Sequence, residues 1–391
     1  MSLIGTVGRG IKAPIFREGD NLPEMVVDCV INASQNENFE LNNKDIVGVT
    51  EAVLARTQGN YATIEQIAKA VNQIFGNEEV GLVFPILSRN RFLPILKAIS
   101  KGVKKLYVML SYPSDEVGNP LITIEQLKQS KLNPYTDVLT EVEFRKIFPK
   151  LSHPFTGVDY IKLYKEATDN TCEIILGNKA EEILKYTDKI ICGDIHTRHK
   201  TKKELLDAGA KNVVSLDEIL TNSVDGSGYN DKYGLLGSNL ATDDSVKLFP
   251  RDCQNFVLEV QKIFKKRTGK DIEVLVYGDG AFKDPVGGIW ELADPVVAPA
   301  FTQGLRGTPN EIKLKYIADN NLTDLSEEEA EEKMKQIIKN KQDIKDSNVT
   351  LGTTPRQFSD LIGSLCDLLS GSGDKGTPIV LIQGYFDNYA S

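Results

Sequence analysis

The sequence is short of histidine, with 3 in 391 residues, has a single tryptophan and 5 cysteines, and never stays apolar for long. Each shortage excludes something. The cysteines, Cys29, Cys172, Cys192, Cys253 and Cys366, are odd in number, far apart and mostly set in apolar runs. They read as reduced core residues, with no CxxC pair to hold zinc or to run redox chemistry. No run approaches the roughly 20 apolar residues that cross a bilayer. The opening MSLIGTVGRGIKAPIF also lacks the continuous apolar stretch of a signal peptide, so a cytoplasmic location is expected. His153 has no GxSxG elbow to serve, which removes nucleophilic hydrolysis of the Ser-His-Asp or Cys-His kind. The net charge of -9, without a concentrated basic face, argues against a nucleic-acid partner and leaves small anions open.

What is present is a 41% hydrophobic chain, enough for a large core and, since single cores rarely grow past roughly 250–300 residues, for two lobes. Strand-like and helix-like segments alternate, which predicts an α+β fold of mixed α/β layers. Candidate strands are Asp45–Thr50, Val80–Phe84, Lys105–Leu110, Cys172–Leu176, Lys189–Cys192, Asn212–Leu216, Ile272–Tyr277 and Pro378–Gln383. Capping boxes at Thr63 with Gln66 and at Ser326 with Glu329 open two helices. The second carries a charge run that suits a solvated face, with partner docking as the alternative. Glycine-rich stretches at 225–239, 278–288 and 371–376 are the main punctuation.

Chemistry concentrates where the strand IEVLV ends in YGDGAFKDPVGGIW. A carboxylate at a strand end is placed to hold Mg²⁺ or Mn²⁺, and a lysine beside it to face phosphate, which makes Asp279, Lys283 and Asp284 candidates. A surface turn whose aspartates bond their own backbone is the plainer alternative. A second candidate is the loop Ser370–Thr377. It is no P-loop, because the spacing is wrong and the order is helix then strand, but its backbone N–H groups can nest an anion and Asp374 can add a ligand. In Asp194–His199, two of the three histidines allow a metal site, while Asp194 and Arg198 alternatively suit a substrate carboxylate. Ser88–Arg91 and Lys12–Arg17 add cations, and Gly226–Asn239 is long enough for a binding loop.

The segments Gly10–Asp20, Asp45–Glu51 and Ala55–Gly59, then Gly157-Val158-Asp159, the Asp279 strand end and the closing 371–376 loop with PIVLIQG, together resemble the coenzyme F420-0:L-glutamate ligases, a gamma-glutamyl ligase family. The resemblance implies two interwoven lobes around a mixed sheet core, a homodimer, and amide ligation of L-glutamate to a carboxylate acceptor through an acyl phosphate, with GTP and Mg²⁺ or Mn²⁺. Carried over by position, Ala13, Pro14, Ile15, Phe16, Glu51, Ala52 and Arg56 border the nucleotide, with Gly371, Ser372, Gly373 and Lys375 of the closing loop. Asp159, Asp279, Gly280 and Asp374 hold metal, and Lys283, Asp284 and Arg198 are the candidate catalytic side chains, with Arg89 the alternative to Arg198 for a substrate carboxylate. One catalytic unit is expected over 1–391, with approximate lobes at 1–150, 151–250 and 251–391. Where the family has Asn-Ala before Gly-Val-Asp and Asp-Thr-Phe-Gly-Arg at the strand end, this chain has Phe155-Thr156 and Asp279-Gly280-Ala281-Phe282-Lys283. Segments 85–150, 190–250 and 300–350 are additional. These departures favour an acceptor other than the deazaflavin precursor, a folate among them. Two rival expectations are a non-catalytic nucleotide-binding protein on the same scaffold and a metal hydrolase built on Asp194, His196 and His199.

Overall fold

The computed structural model describes residues 3–391 apart from 155, 284–291, 343, 345, 346, 351, 352, 354, 355 and 372. In chain order its strands are β1 Val7–Ile11, β2 Ile46–Thr50, β3 Tyr61–Thr63, β4 Glu79–Val83, β5 Lys105–Leu110, β6 Leu139–Thr140, β7 Glu173–Leu176, β8 Lys189–Cys192, β9 Asn212–Ser215, β10 Asn239–Thr242, β11 Ser245–Lys247, β12 Glu273–Tyr277, β13 Ala300–Phe301 and β14 Ile379–Gln383. The fold is α+β, as expected. All eight strands read from the sequence are present, each within one residue of its expected ends. Apart from the edge strand β9, which alternates, they are mostly buried on both faces, and their apolar runs need no alternation to be recognised.

The first sheet has the order β1-β14-β2-β12-β13. Helices Leu22–Asn36 and Cys253–Thr268 cover one face through Val26, Val27, Phe256 and Val260, which pack on Val47, Val49 and Leu381. Helix Phe358–Ser370 covers the other through Ile362 and Cys366, against Ile46, Leu275 and Val380. Gly48 is required there, because a Cβ would lie 2.5 Å from the Cys366 sulfur. β12 runs parallel to β2, while β14 is antiparallel to both β1 and β2. The ends of β1, β2 and β12 and the beginning of β14 therefore share one edge.

A second, six-stranded sheet has the order β6-β7-β5-β4-β8-β9, parallel except for β6. The chain builds outward from β4 through β5 to β7, then returns to β8 on the other side of β4. That is a topological switch point, and loops collect at its carboxyl edge. A three-stranded sheet joins the two bodies: Ser245 of β11 is the register partner of Thr63 of β3, so the chain leaves for the six-stranded body and comes back at one place. Thr63 caps the helix Ile64–Phe75 and Ser326 the helix Glu327–Lys339, each with its capping box. The latter is mostly exposed and buries Met334 and Ile338 against Ile317 and Leu322. No helix among the described residues is long and apolar enough to cross a membrane.

Candidate active site

Glu51 follows β2 directly, and Asp279 follows β12 after Gly278. Thr50 is the register partner of Tyr277, so these two carboxylates leave adjacent parallel strands at the same edge. Gly278 brings the backbone close to a third acid: a Cβ there would sit 2.4 Å from an oxygen of Asp294. The amide of Asp279 donates to that oxygen, Oδ2, at 2.8 Å. The amide of Ala293 donates to Asp279 at 3.1 Å. Beyond them the Gly280 amide donates to Asp367 at 2.8 Å and the Ala281 amide to the Ser364 hydroxyl at 3.2 Å.

Two cations meet these acids, both from outside the sheet. Lys247 of β11 pairs with Glu51. Arg91, from the loop after β4 in the six-stranded body, donates through Nη1 to Asp294 at 2.6 Å and through Nη2 to Asp279 at 2.7 Å. The Asp294 side chain is 1% exposed and that of Arg91 17%. Among the described residues, Glu51, Asp279 and Asp294 thus face Lys247 and Arg91, and the second oxygen of Glu51, Oε2, is buried without a hydrogen-bond partner. The energetic consequence appears in the proton affinities. Burial, then the nearby charge of Asp294, pushes the Asp279 carboxyl up to about 7 against the pull of Arg91. Burial likewise raises Glu51, with Lys247 opposing it. Arg91 stays charged because Asp294 and Asp279 more than offset its desolvation.

The turn after β1 and the loop before β14 sit on the same edge. The Ala13 amide donates to the Gly376 carbonyl at 3.1 Å and that of Thr50 to Pro378 at 3.0 Å. Arg56 Nε donates to the Phe16 carbonyl at 2.6 Å, which ties the Ala13–Phe16 turn to the helix that begins with Glu51. Phe16 is buried, Pro14 and Ile15 are exposed, and Ala52 is half-buried. Gly371, Gly373, Asp374, Lys375 and Lys283 are exposed. Gly371 has a φ of 66°, ends the helix Phe358–Ser370 and lets Lys375 lie across it. Asp284 and Ser372 fall outside the described residues.

Two expected residues belong to the six-stranded body. The carboxylate of Asp159 accepts from the Lys162 amide as the cap of helix Tyr160–Ala167 and pairs with Arg145 at 2.8 Å. Arg198 pairs with Asp217 at 2.9 Å and donates to the Ile195 carbonyl. Asp194 accepts from the hydroxyls of Thr197 and Thr201, and His196 Nε2 lies 3.0 Å from the Leu292 carbonyl. Among the described residues no three His, Cys, Asp or Glu side chains stand close enough to hold one ion, either at Asp194, His196 and His199 or at Asp159, Asp279 and Asp374. The Gly226–Asn239 segment packs inward through Asn230, Tyr233 and Leu235.

Sequence reasoning had Arg89 and Arg91 as a pair able to clamp carboxylates but favoured Arg89, which is exposed, while Arg91 is the one that reaches the acids; it missed Lys247, Asp294 and Asp367 altogether. A faint signal existed for Lys247, a lysine in the otherwise apolar VKLF. Asp294 had none.

The molecule is thus a two-bodied α+β protein with an acid-rich site at the carboxyl ends of two parallel strands, closed by a cation from the second body. A family model described as F420-0:Gamma-glutamyl ligase matches residues 10–384, nearly the whole chain, and the chain belongs to that family. Membership supports a ligase role. No curated protein matches the chain.

Proposed function

We propose that this protein is an NTP-dependent ligase, with GTP the first candidate, that joins L-glutamate to a small carboxylate acceptor through an acyl phosphate. The observation that carries the reading is the shared edge, where Glu51, Asp279 and Asp294 lie with two backbone turns and exposed lysines. Excess negative charge and the orphaned Glu51 oxygen suit a divalent cation, so Mg²⁺ or Mn²⁺ fits this donor set. Asp279 and Glu51 would hold the ion. Bound there, the ion supplies charge neutralisation for phosphoryl transfer.

The remaining work falls to the chain. The Ala13–Phe16 turn and the 371–376 loop border the nucleotide, while Arg56 and Lys283 meet phosphate oxygens as fixed cations. The acceptor carboxylate attacks the terminal phosphorus, and the nucleoside diphosphate leaves. The glutamate amine then displaces phosphate from the acyl carbon. Assembly as a homodimer belongs to the same reading.

Thermal unfolding of wild type and Asp279→Ala with GTP, ATP or neither, with and without Mn²⁺, tests it. A ligand at about 100 times its dissociation constant adds roughly 2.7 kcal/mol, a shift of up to a couple of degrees in a chain this long. The expected result is a metal-dependent shift with one nucleotide that Asp279→Ala abolishes, together with glutamate-dependent phosphate release in the presence of F420-0 or a folate. A nucleotide shift without phosphate release from any acceptor would make the chain a binding protein instead. No shift with either nucleotide would remove the energy source from the proposal.

A further inference from the structure

Arg91 crosses between the two bodies. It starts after β4, where Ser88 Oγ accepts from its amide at 3.0 Å, and ends on the two acids that flank Gly278. One end of its guanidinium holds Asp294 and the other holds Asp279. A guanidinium is a planar fork that matches carboxylates edge to edge. Carboxylates that serve its two ends are separated by its width, whereas a divalent ion gathers oxygens at about 2.0–2.6 Å from one point. Among the described residues no three acids stand close enough to share an ion, although Glu51, Asp279 and Asp294 crowd one edge. A second observation shows the arrangement to be incomplete: Glu51, 5% exposed, keeps one oxygen with no partner, and a buried polar atom left so is destabilising.

We infer that Arg91 is a placeholder cation. It neutralises Asp279 and Asp294 while no metal is bound, a divalent ion exchanges with it, and the exchange releases the loop that ties the six-stranded body to the site. The inference rests on the metal-dependent ligase reading and makes Arg91 a positioning residue whose effect runs through the two carboxylates. A permanent strut would have the same contacts, but the two roles differ in sign. Removing a strut disorders the carboxylates and weakens ion binding, while removing a competitor strengthens it.

The test is Mn²⁺ binding to the full chain, followed by electron paramagnetic resonance without nucleotide, in wild type, Arg91→Gln and Arg91→Lys. Arg91→Gln is expected to bind Mn²⁺ at least about ten-fold more tightly, a change of about 1.4 kcal/mol. Arg91→Lys should lie between, since it keeps the charge and loses the fork. Hydrogen exchange of the 87–92 amides should quicken on Mn²⁺ addition in wild type and be fast already in Arg91→Gln. Binding that is unchanged or weaker in folded Arg91→Gln overturns the inference and leaves the ligase reading standing. Should Arg91→Gln not fold, the direction of change in Arg91→Lys decides in the same way. If no protein binds Mn²⁺, with or without GTP, the metal-dependent reading fails and this inference fails with it.

Discussion

Both large sheets gather acids at the carboxyl ends of parallel strands, yet the two edges use them differently. At the six-stranded edge, Asp115 accepts the amides of Leu87, Val117 and Asn119 at 2.7, 3.1 and 2.8 Å. Glu116 accepts those of Ile195, His196 and Thr197, and Asp217 takes Arg198. With the exception of Asp194 Oδ1, the acids there fasten loops to one another. At the five-stranded edge the acids face side-chain cations brought from β11 and from the loop after β4, and an oxygen of Glu51 is left over. Ion pairing alone does not separate the two edges, since Asp217 also has its arginine; what sets the five-stranded edge apart is that, among the described residues, Glu51, Asp279 and Asp294 together meet only the cations Arg91 and Lys247, with one buried oxygen left over.

The comparison breaks first on function. Asp279→Ala should lower ligase kcat/KM about a thousand-fold, equivalent to about 4 kcal/mol, and remove the metal-dependent nucleotide shift. Glu116→Gln should change neither. If Glu116→Gln matched Asp279→Ala in assays of the folded proteins, the two edges would not differ as described.

Next in size is Lys247→Met. It strands the Glu51 carboxylate inside the protein, which costs about 3–5 kcal/mol when one partner of a buried pair is removed. Adding Glu51→Gln should recover most of that loss in urea unfolding. At the other edge Asp115→Asn should cost roughly 1–3 kcal/mol through mismatched amide donors, with nucleotide binding intact.

The smallest effect is in pH dependence. The Asp279 carboxyl is held at about 7, above its ordinary 3.8. Between about pH 4 and 7 the unfolded chain has released this proton and the folded chain has kept it, so rising pH lowers stability across that window and no further above it. The contribution should vanish from the pH profile of Asp279→Asn.

Much of the frame was legible because its strands are continuous apolar runs. Of the strands that escaped notice, β3, β6, β11 and β13 have three residues or fewer, too few for a period to show, and β1 and β10 are largely exposed strands without an apolar run. Asp279 was legible as a carboxylate between glycines after a buried strand. Its partners were not, because Arg91 meets it across 188 positions of sequence and Lys247 meets Glu51 across 196. No local pattern records such a meeting. Arg89 and Arg91 differ only in which way the turn after Ser88 sends them.

The position of β14 also sets an order of assembly. It lies between β1 and β2, so β1, from the beginning of the chain, has no sheet neighbour until the last strand has been made. During synthesis, which runs from the N-terminus, the six-stranded body is complete and able to fold while the site's own sheet still lacks a strand. A ribosome that stops before Ile379 leaves a folded insert on an unfinished host, with β1 and β2 exposing the edges that β14 would have sealed. Interrupted chains of this protein should be recognised by chaperones and proteases through that gap, long before any loss of activity could reveal them.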